Sequence, residues 1–328
     1  MNFTDFARKD GVLRIISCPT PPDVNKTDGF IAVLDREVLL HDGGVTGCRD
    51  SWRILTKIRE AVCPGERLHL TWVLSHFHGD HAMTAIESII PDPAFAFDRV
   101  FIPPACPAPD GLPINGYDKI KPLFDEALST YQPDAEIISL EFADRGGKPV
   151  DLRLSDAAIR LYPPDTNWYN PHQFNDILIG GYGEGNPADV KIPTAAINAC
   201  CLWMLISYAG RRALFTGDSM KRTAEITDES FDNMLALWRE DIGMSPDLMK
   251  WPHHGYKRNH AAPGVESMKP AYILTTHREQ TADEAYREAF PDGKAVFLCS
   301  ADRGVEFDIT PGGGIIVSSF ERLTDADL

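Results

Sequence analysis

His76-Phe77-His78-Gly79-Asp80-His81 places four candidate metal ligands within six residues. It follows the apolar run Leu70-Thr71-Trp72-Val73-Leu74, which reads as a buried strand. In extended backbone, residues i and i+2 face the same way, so His76 and His78 can converge on one cation. Gly79 lets the chain turn, and Asp80 and His81 can then address a second cation nearby. Imidazole with carboxylate is a donor set suited to zinc and usable by iron or manganese. Three histidines and an aspartate at a strand end pack poorly, which argues against a chance cluster.

Two later segments point the same way. Arg211-Arg212-Ala213-Leu214-Phe215-Thr216-Gly217-Asp218 is an apolar strand ending at a Gly-Asp corner. Leu248-Met249-Lys250-Trp251-Pro252-His253-His254-Gly255 is a short strand ending in paired histidines. Asp42-Gly43-Gly44 follows a further strand, Val38-Leu39-Leu40.

The His-x-His-x-Asp-His stretch, the Thr216-Gly217-Asp218 corner and His254-Gly255 resemble the motifs of the metallo-β-lactamase superfamily of hydrolases. Asp42-Gly43-Gly44 is similar to that family's first motif, and the pieces occur in the family's order over most of the chain. Asn198-Ala199-Cys200-Cys201-Leu202 and Pro252-His253-His254-Gly255 look closer to the hydrolase domain of ComEC-type DNA-uptake proteins and to phosphorylcholine esterases. One feature departs from many family members: the region upstream of Asp218 where they carry a ligand histidine offers Asn198 and no histidine.

The resemblance implies an α/β (α+β) fold of αββα type, two packed mixed sheets with outer helices, and a centre of two divalent metal ions. By motif, His76 and His78 belong to the first ion, Asp80 and His81 to the second, with Asp218 bridging. His254 completes the second site, with His253 as the other choice. Zinc is the default ion, with manganese or iron as rivals. Two such cations about 3.5–4 Å apart share a water and lower its pKa enough to give hydroxide near neutral pH. They also clamp the oxyanion that forms on the substrate.

Around these ligands the roles stay open. Asp80 is a ligand at the point of chemistry, and His253, if it is no ligand, can protonate a leaving alkoxide or orient its neighbour. Asp42 is expected to hold a ligand imidazole or the loop beneath the metals. Asn198 is a weak ligand, a donor to substrate or a turn residue, and His277, ending the run Ala271-Tyr272-Ile273-Leu274-Thr275-Thr276, is a substrate contact or a structural histidine. Cys200 and Cys201 read as buried residues within a strand.

Charge limits the partners. A formal charge of −16 repels a polyanion, so an extended nucleic acid is not expected as partner, whatever the ComEC resemblance suggests. Seven cysteines at irregular spacing argue against a disulfide framework. The start of the chain lacks the basic and apolar regions of a signal peptide, and no run approaches the roughly 20 apolar residues of a membrane span. A cytoplasmic protein acting on a small-molecule or nucleotide-like substrate, with no membrane partner, fits these features.

Periodicity predicts a hairpin across residues 31–40, helices over 51–62 and after the metal motif until Pro91, a strand at 100–102 and a helix over 116–131. Strands follow at 136–142 and 157–162. The second half repeats the plan: a hairpin over 199–216, a helix near 228–240, strands at 271–276 and 295–299, a helix at 281–289 and a last hairpin from Val305 through Gly314. No flexible linker divides the halves, so residues 1–328 are expected to form one domain. Residues 163–197, with Trp168, Tyr169 and His172, lack periodicity and are expected to be a loop insertion over the metal site.

The leading reading is a dinuclear metal-dependent hydrolase of a phosphodiester or other phosphoester. The missing histidine leaves the first metal open to solvent or substrate oxygens, which suits phosphate better than an amide. A lactone, thioester or β-lactam hydrolase, an iron-dependent oxidoreductase and a non-catalytic metal-binding module are the alternatives.

Overall fold

The computed structural model describes residues 10–105, 117–164, 197–198, 200–219, 245–255 and 268–328. Its first sheet opens with β1 (Leu13–Ser17), β2 (Gly29–Leu34), β3 (Glu37–Asp42), β4 (Leu68–Val73), β5 (Phe95–Ile102) and β6 (Glu136–Ser139). The chain then enters the second sheet through β7 (Val150–Leu154), β8 (Ala157–Tyr162), β9 (Trp203–Tyr208), β10 (Arg211–Phe215), β11 (Leu248–Lys250), β12 (Tyr272–Thr275) and β13 (Val296–Cys299). A closing hairpin, β14 (Gly304–Ile309) and β15 (Ile315–Phe320), returns to the first sheet by pairing β14 with β1.

Strand order is β15-β14-β1-β2-β3-β4-β5-β6 in one sheet and β13-β12-β11-β10-β9-β8-β7 in the other. Each is mixed. Antiparallel pairing gives way to parallel at β3–β4 in the first sheet and at β10–β11 in the second.

Alternation explains why the sheets stack. Along β9, Met204 and Ile206 face the inter-sheet core, while Trp203 and Leu205 face outward, so the strand is buried on both sides. Leu13, Ile15, Phe30, Ala32 and Leu39 meet Ile159, Leu161, Ala213 and Phe215 in that central layer. Outside the first sheet, α1 (Asp50–Val62) presses Ile54, Leu55 and Ile58 against Ile31, Leu40 and Trp72. The same layer holds α2 (Gly79–Thr84), extended by one wide turn over Ala85–Ile89, and α3 (Tyr117–Tyr131). On the far side α4 (Ala282–Ala289) packs Ala282 and Tyr286 on Leu214, Met249 and Ile273. The result is the αββα sandwich expected from sequence.

Several boundaries shift. β1 and β7 carry no prediction, and β5 begins five residues before the short strand expected at 100–102. Cys200 and Cys201 are buried, yet they sit in the turn before β9 rather than within a strand. The last hairpin belongs to the first sheet, so the two halves are not a simple repeat. Residues 165–196, with Trp168, Tyr169 and His172, and the helix expected near 228–240 lie outside the described residues. Among the described residues, no helix is long and apolar enough to cross a membrane.

Candidate metal centre

The donors gather where strands of both sheets end. β4 runs into Leu74 and Ser75 and then delivers His76 and His78, whose ring atoms Nε2 and Nδ1 lie 2.9 Å apart. α2 starts at Gly79 and turns Asp80 and His81 inward within its first turn. From the second sheet, Asp218 follows β10 by a Thr216-Gly217 corner, and His254 follows β11.

Asp218 Oδ2 is the meeting point. It lies 3.3 Å from His81 Nε2, 3.2 Å from His254 Nε2, 3.5 Å from His253 Nε2 and 3.9 Å from His76 Nε2. Asp80 Oδ2 is a further 3.2 Å from His254 Nε2. Two groups of atoms close enough to share an ion result: His76, His78 and Asp218, and His81, His254, Asp218 with Asp28.

A cation fits this arrangement on two counts. Zinc–nitrogen and zinc–oxygen bonds of about 2.0–2.1 Å, set tetrahedrally, put ligand atoms about 3.3 Å apart, which matches the 3.2 and 3.3 Å separations here. Moreover, His81 Nε2, His254 Nε2 and Asp218 Oδ2 are buried with no hydrogen-bond partner among the described residues. Buried polar atoms without partners are costly, and a shared cation is what would satisfy all three.

The far sides of the His81 and His254 imidazoles are each held by a carboxylate, while the Ser75 hydroxyl meets His76 Nδ1 at 3.0 Å. Asp42 Oδ2 lies 2.9 Å from His81 Nδ1, while its other oxygen accepts the Ser75 N–H at 2.8 Å. Asp42 needs a left-handed backbone, φ 57°, to reach both. Asp28 does the same for His254, with Oδ1 2.9 Å from Nδ1 and Thr276 Oγ donating to the same oxygen. Each arrangement fixes the ring and leaves Nε2 facing the centre. Asp28, though close enough to count as a donor, therefore spends its oxygens on His254, Thr276 and Lys250.

Lys250 is the unexpected member. Period two points it into the inter-sheet layer with Leu248, and it is 0% exposed. Its ammonium contacts Asp28 Oδ2 at 2.5 Å, the Gly217 carbonyl at 2.7 Å and Asp218 Oδ1 at 3.3 Å. Burial opposes the charge, but Asp28 and Asp218 outweigh it and hold the ammonium's pKa above its ordinary value. With Oδ1 of Asp218 so engaged, Oδ2 is the oxygen left for the centre.

The histidines divide into two electrostatic classes. Burial drives His76 well below its usual pKa and His78 down to about 4. His253 is likewise lowered to about 4, burial outweighing Asp218. For His254, burial is outweighed by Asp218 and Asp28, and it rises to about 9. His81 rises too, because Asp218 and Asp42 flank it.

His253 and His254 owe their placement to a strained turn. Their φ values are 49° and 62°, both left-handed, followed by Gly255 at 88°. The turn is tied down by His253 N–H to Gly217 O and by Thr276 and His277 N–H groups to His254 O. Both rings consequently approach the same Asp218 oxygen.

The other candidate residues sit outside the two donor groups. Asn198 is buried in the turn before β9, where its carbonyl accepts the Cys201 N–H and the Cys201 thiol accepts the Asp218 N–H. His277 follows β12, its backbone bridged to Lys26, and its Nδ1 accepts the Glu279 N–H at 2.9 Å. That bond assigns the ring proton to Nε2. Asp28 and Lys250 escaped the sequence reading. A lysine in the otherwise apolar β11, and an aspartate directly ahead of the apolar β2, were their only signals.

No protein-family model matches the chain, and no curated protein matches it. Solved structures do resemble it in fold. They include the metallo-β-lactamase fold protein YhfI from Bacillus subtilis, 14% identical over 93% of this chain and 100% of that one, TM-score 0.47. Tm1679, a metal-dependent hydrolase of the β-lactamase superfamily, is 12% identical over 94% and 99%, TM-score 0.48. A diphosphatase from the PhnP family is 14% identical over 90% and 98%, TM-score 0.43. At these levels the likeness speaks to no more than the fold, and chemistry rests on the side chains.

Proposed function

We propose that this chain is a dinuclear metal-dependent hydrolase acting on a phosphodiester or other phosphoester of small or nucleotide-like size. The observation that carries the reading is the sharing of Asp218 Oδ2 between two donor groups. His76, His78 and Asp218 would hold one divalent ion; Asp80, His81, His254 and Asp218 would hold the other. When bound, the pair supplies an activated water and a clamp for developing negative charge.

The protein's own groups do the rest. Asp42 and Asp28 keep His81 and His254 turned with Nε2 inward. His253, lowered to about 4 by burial and 20% exposed at its side chain, stands beside Asp218 where it would exchange a proton with a leaving alkoxide. Among the described residues the first group has three protein donors, an arrangement that would leave room for substrate oxygens and would favour a phosphoryl group over an amide. A single-domain protein belongs to the same proposal.

Purified protein loaded with zinc or manganese is expected to cleave bis(p-nitrophenyl) phosphate, and a chelator to stop it. Asp80→Ala should lower kcat/KM by at least about a hundredfold, as loss of a ligand at the reacting centre does. Full activity in that variant would remove the mechanism. Turnover of chromogenic lactams or thioesters without the phosphodiester would reassign the substrate.

A further inference from the structure

Among the described residues, two lysines reach the donor cluster, and they are built differently. Lys250 is sealed against two carboxylates and a carbonyl. Lys26 also contacts a carboxylate, Asp80 Oδ2 at 2.8 Å, but its side chain remains 37% exposed. An ammonium has three donors, and one contact to Asp80 leaves others for a ligand arriving from solvent. If a counter-charge for Asp80 were all that was needed, a buried lysine like Lys250 would supply it.

The segment that carries Lys26 is anchored on both sides. Arg278 donates from Nε to Val24 O at 2.8 Å and from Nη2 to Thr20 O at 2.8 Å, and its N–H bonds Asn25 O at 2.9 Å. Two residues further on, the Asp28 N–H bonds Asp80 O at 3.0 Å. Lys26 itself pairs with His277 in an isolated antiparallel bridge. Residues opposed in such a bridge carry their side chains on the same face, about 5 Å apart at Cβ. The bridge sets His277, whose Nδ1 accepts the Glu279 N–H, beside the Lys26 cation.

A part-exposed cation fixed next to Asp80, on a chain of charge −16, forms a local site for an anion that the net charge otherwise repels. We propose that Lys26, with His277 beside it, is the anion-recognition element of this centre, taking a non-bridging oxygen of a phosphoryl group seated over the donors. This assignment rests on the phosphoester reading and adds the residue that selects for it.

The test compares metal-loaded wild type, Lys26→Met and Lys26→Arg. Inorganic phosphate binding is followed by calorimetry, bis(p-nitrophenyl) phosphate turnover by absorbance, and metal content by elemental analysis. Loss of one charge-assisted hydrogen bond should weaken phosphate binding and raise KM by about tenfold or more in Lys26→Met, with metal content unchanged and Lys26→Arg recovering much of the loss. Phosphate binding at wild-type strength in Lys26→Met overturns the proposal while leaving the hydrolase reading in place. A Lys26→Met protein that loses metal also overturns it, because Lys26 would then serve only to hold Asp80. Lys26-dependent phosphate binding without turnover in wild type supports the anion site and removes the phosphoester activity instead. A wild type that binds no phosphate overturns the anion site, and its turnover of the diester then decides the hydrolase reading by itself.

Discussion

At the scale of single residues, the centre depends as much on the atoms behind the imidazoles as on those facing it. Asp42 accepts from the Ser75 backbone and hydroxyl and meets His81 Nδ1, so the two Ser75 contacts anchor the carboxylate that fixes the His81 ring. Asp42→Ala is expected to weaken metal binding about 10–100-fold while the chain still folds, as measured by metal titration against a competing chelator. Proton linkage gives a second expectation. His254 sits at about 9 in the metal-free chain and must give up its proton to bind an ion. Metal loading at pH 7 should therefore release protons, and affinity should climb with pH until about 9, where His254 no longer contributes. Calorimetry in buffers of different ionisation enthalpy reads that release directly; no proton release at pH 7 would contradict the assignment. Legibility from sequence follows the same division. The inward donors were readable, since His76 to His81 are contiguous and Asp218 and His254 end apolar runs. Asp28 and Lys250 were not, because a buried charge betrays itself through its partners, and those are distant in the chain.

At the scale of elements, the site is an arrangement of strand ends held by close approaches. Gly43 is one: a Cβ there would meet Ala85 Cβ at 2.6 Å and Ala85 N at 3.0 Å. The absence of a side chain lets the loop after β3 lie against the helical segment that presents His81. Gly43→Ala should thus lower stability by about 1–3 kcal/mol, the range for overpacking, and weaken metal binding in parallel. Thermal melts and metal titration on the same samples check both effects. The long, periodic elements such as α1 and α2 were legible from their apolar spacing. β7 was not: Val150-Asp151-Leu152-Arg153-Leu154 does alternate, yet its exposed Asp151 and Arg153 make it resemble a surface loop until β8 pairs with it. Nor does the sequence announce the left-handed turn at His253 and His254, a backbone uncommon outside glycine that surrounding hydrogen bonds hold in place.

At the scale of the whole molecule, the donors come from opposite layers of the sandwich. His76, His78, Asp80 and His81 follow a strand of the first sheet, and Asp218 and His254 follow strands of the second. An ion bound there ties the layers together, and binding free energy becomes folding free energy. Removal of metal by a chelator should lower the melting temperature by several degrees, reversibly on adding zinc back; equal melting curves with and without metal would show that the layers do not need the ion. The sandwich itself could be expected from interleaved strands and helices. The return of β14 and β15 to the first sheet could not, since strand order depends on pairings between distant segments. One such pairing reaches the site from afar. The β2–β3 ladder sets Gly29 opposite Asp42 and Leu34 opposite Glu37, closing in a two-residue turn at Asp35 and Arg36. Asp28 and Asp42, the two imidazole holders, are thus mounted on the open end of one hairpin, roughly 20 Å from its tip. That tip is gripped by Ser155, whose N–H bonds Glu37 and whose hydroxyl bonds Asp35. The hairpin behaves as a lever with its handle on the opposite side of the molecule. A register slip of one residue along this ladder would move one holder against the other, detuning the centre without altering any group that faces it.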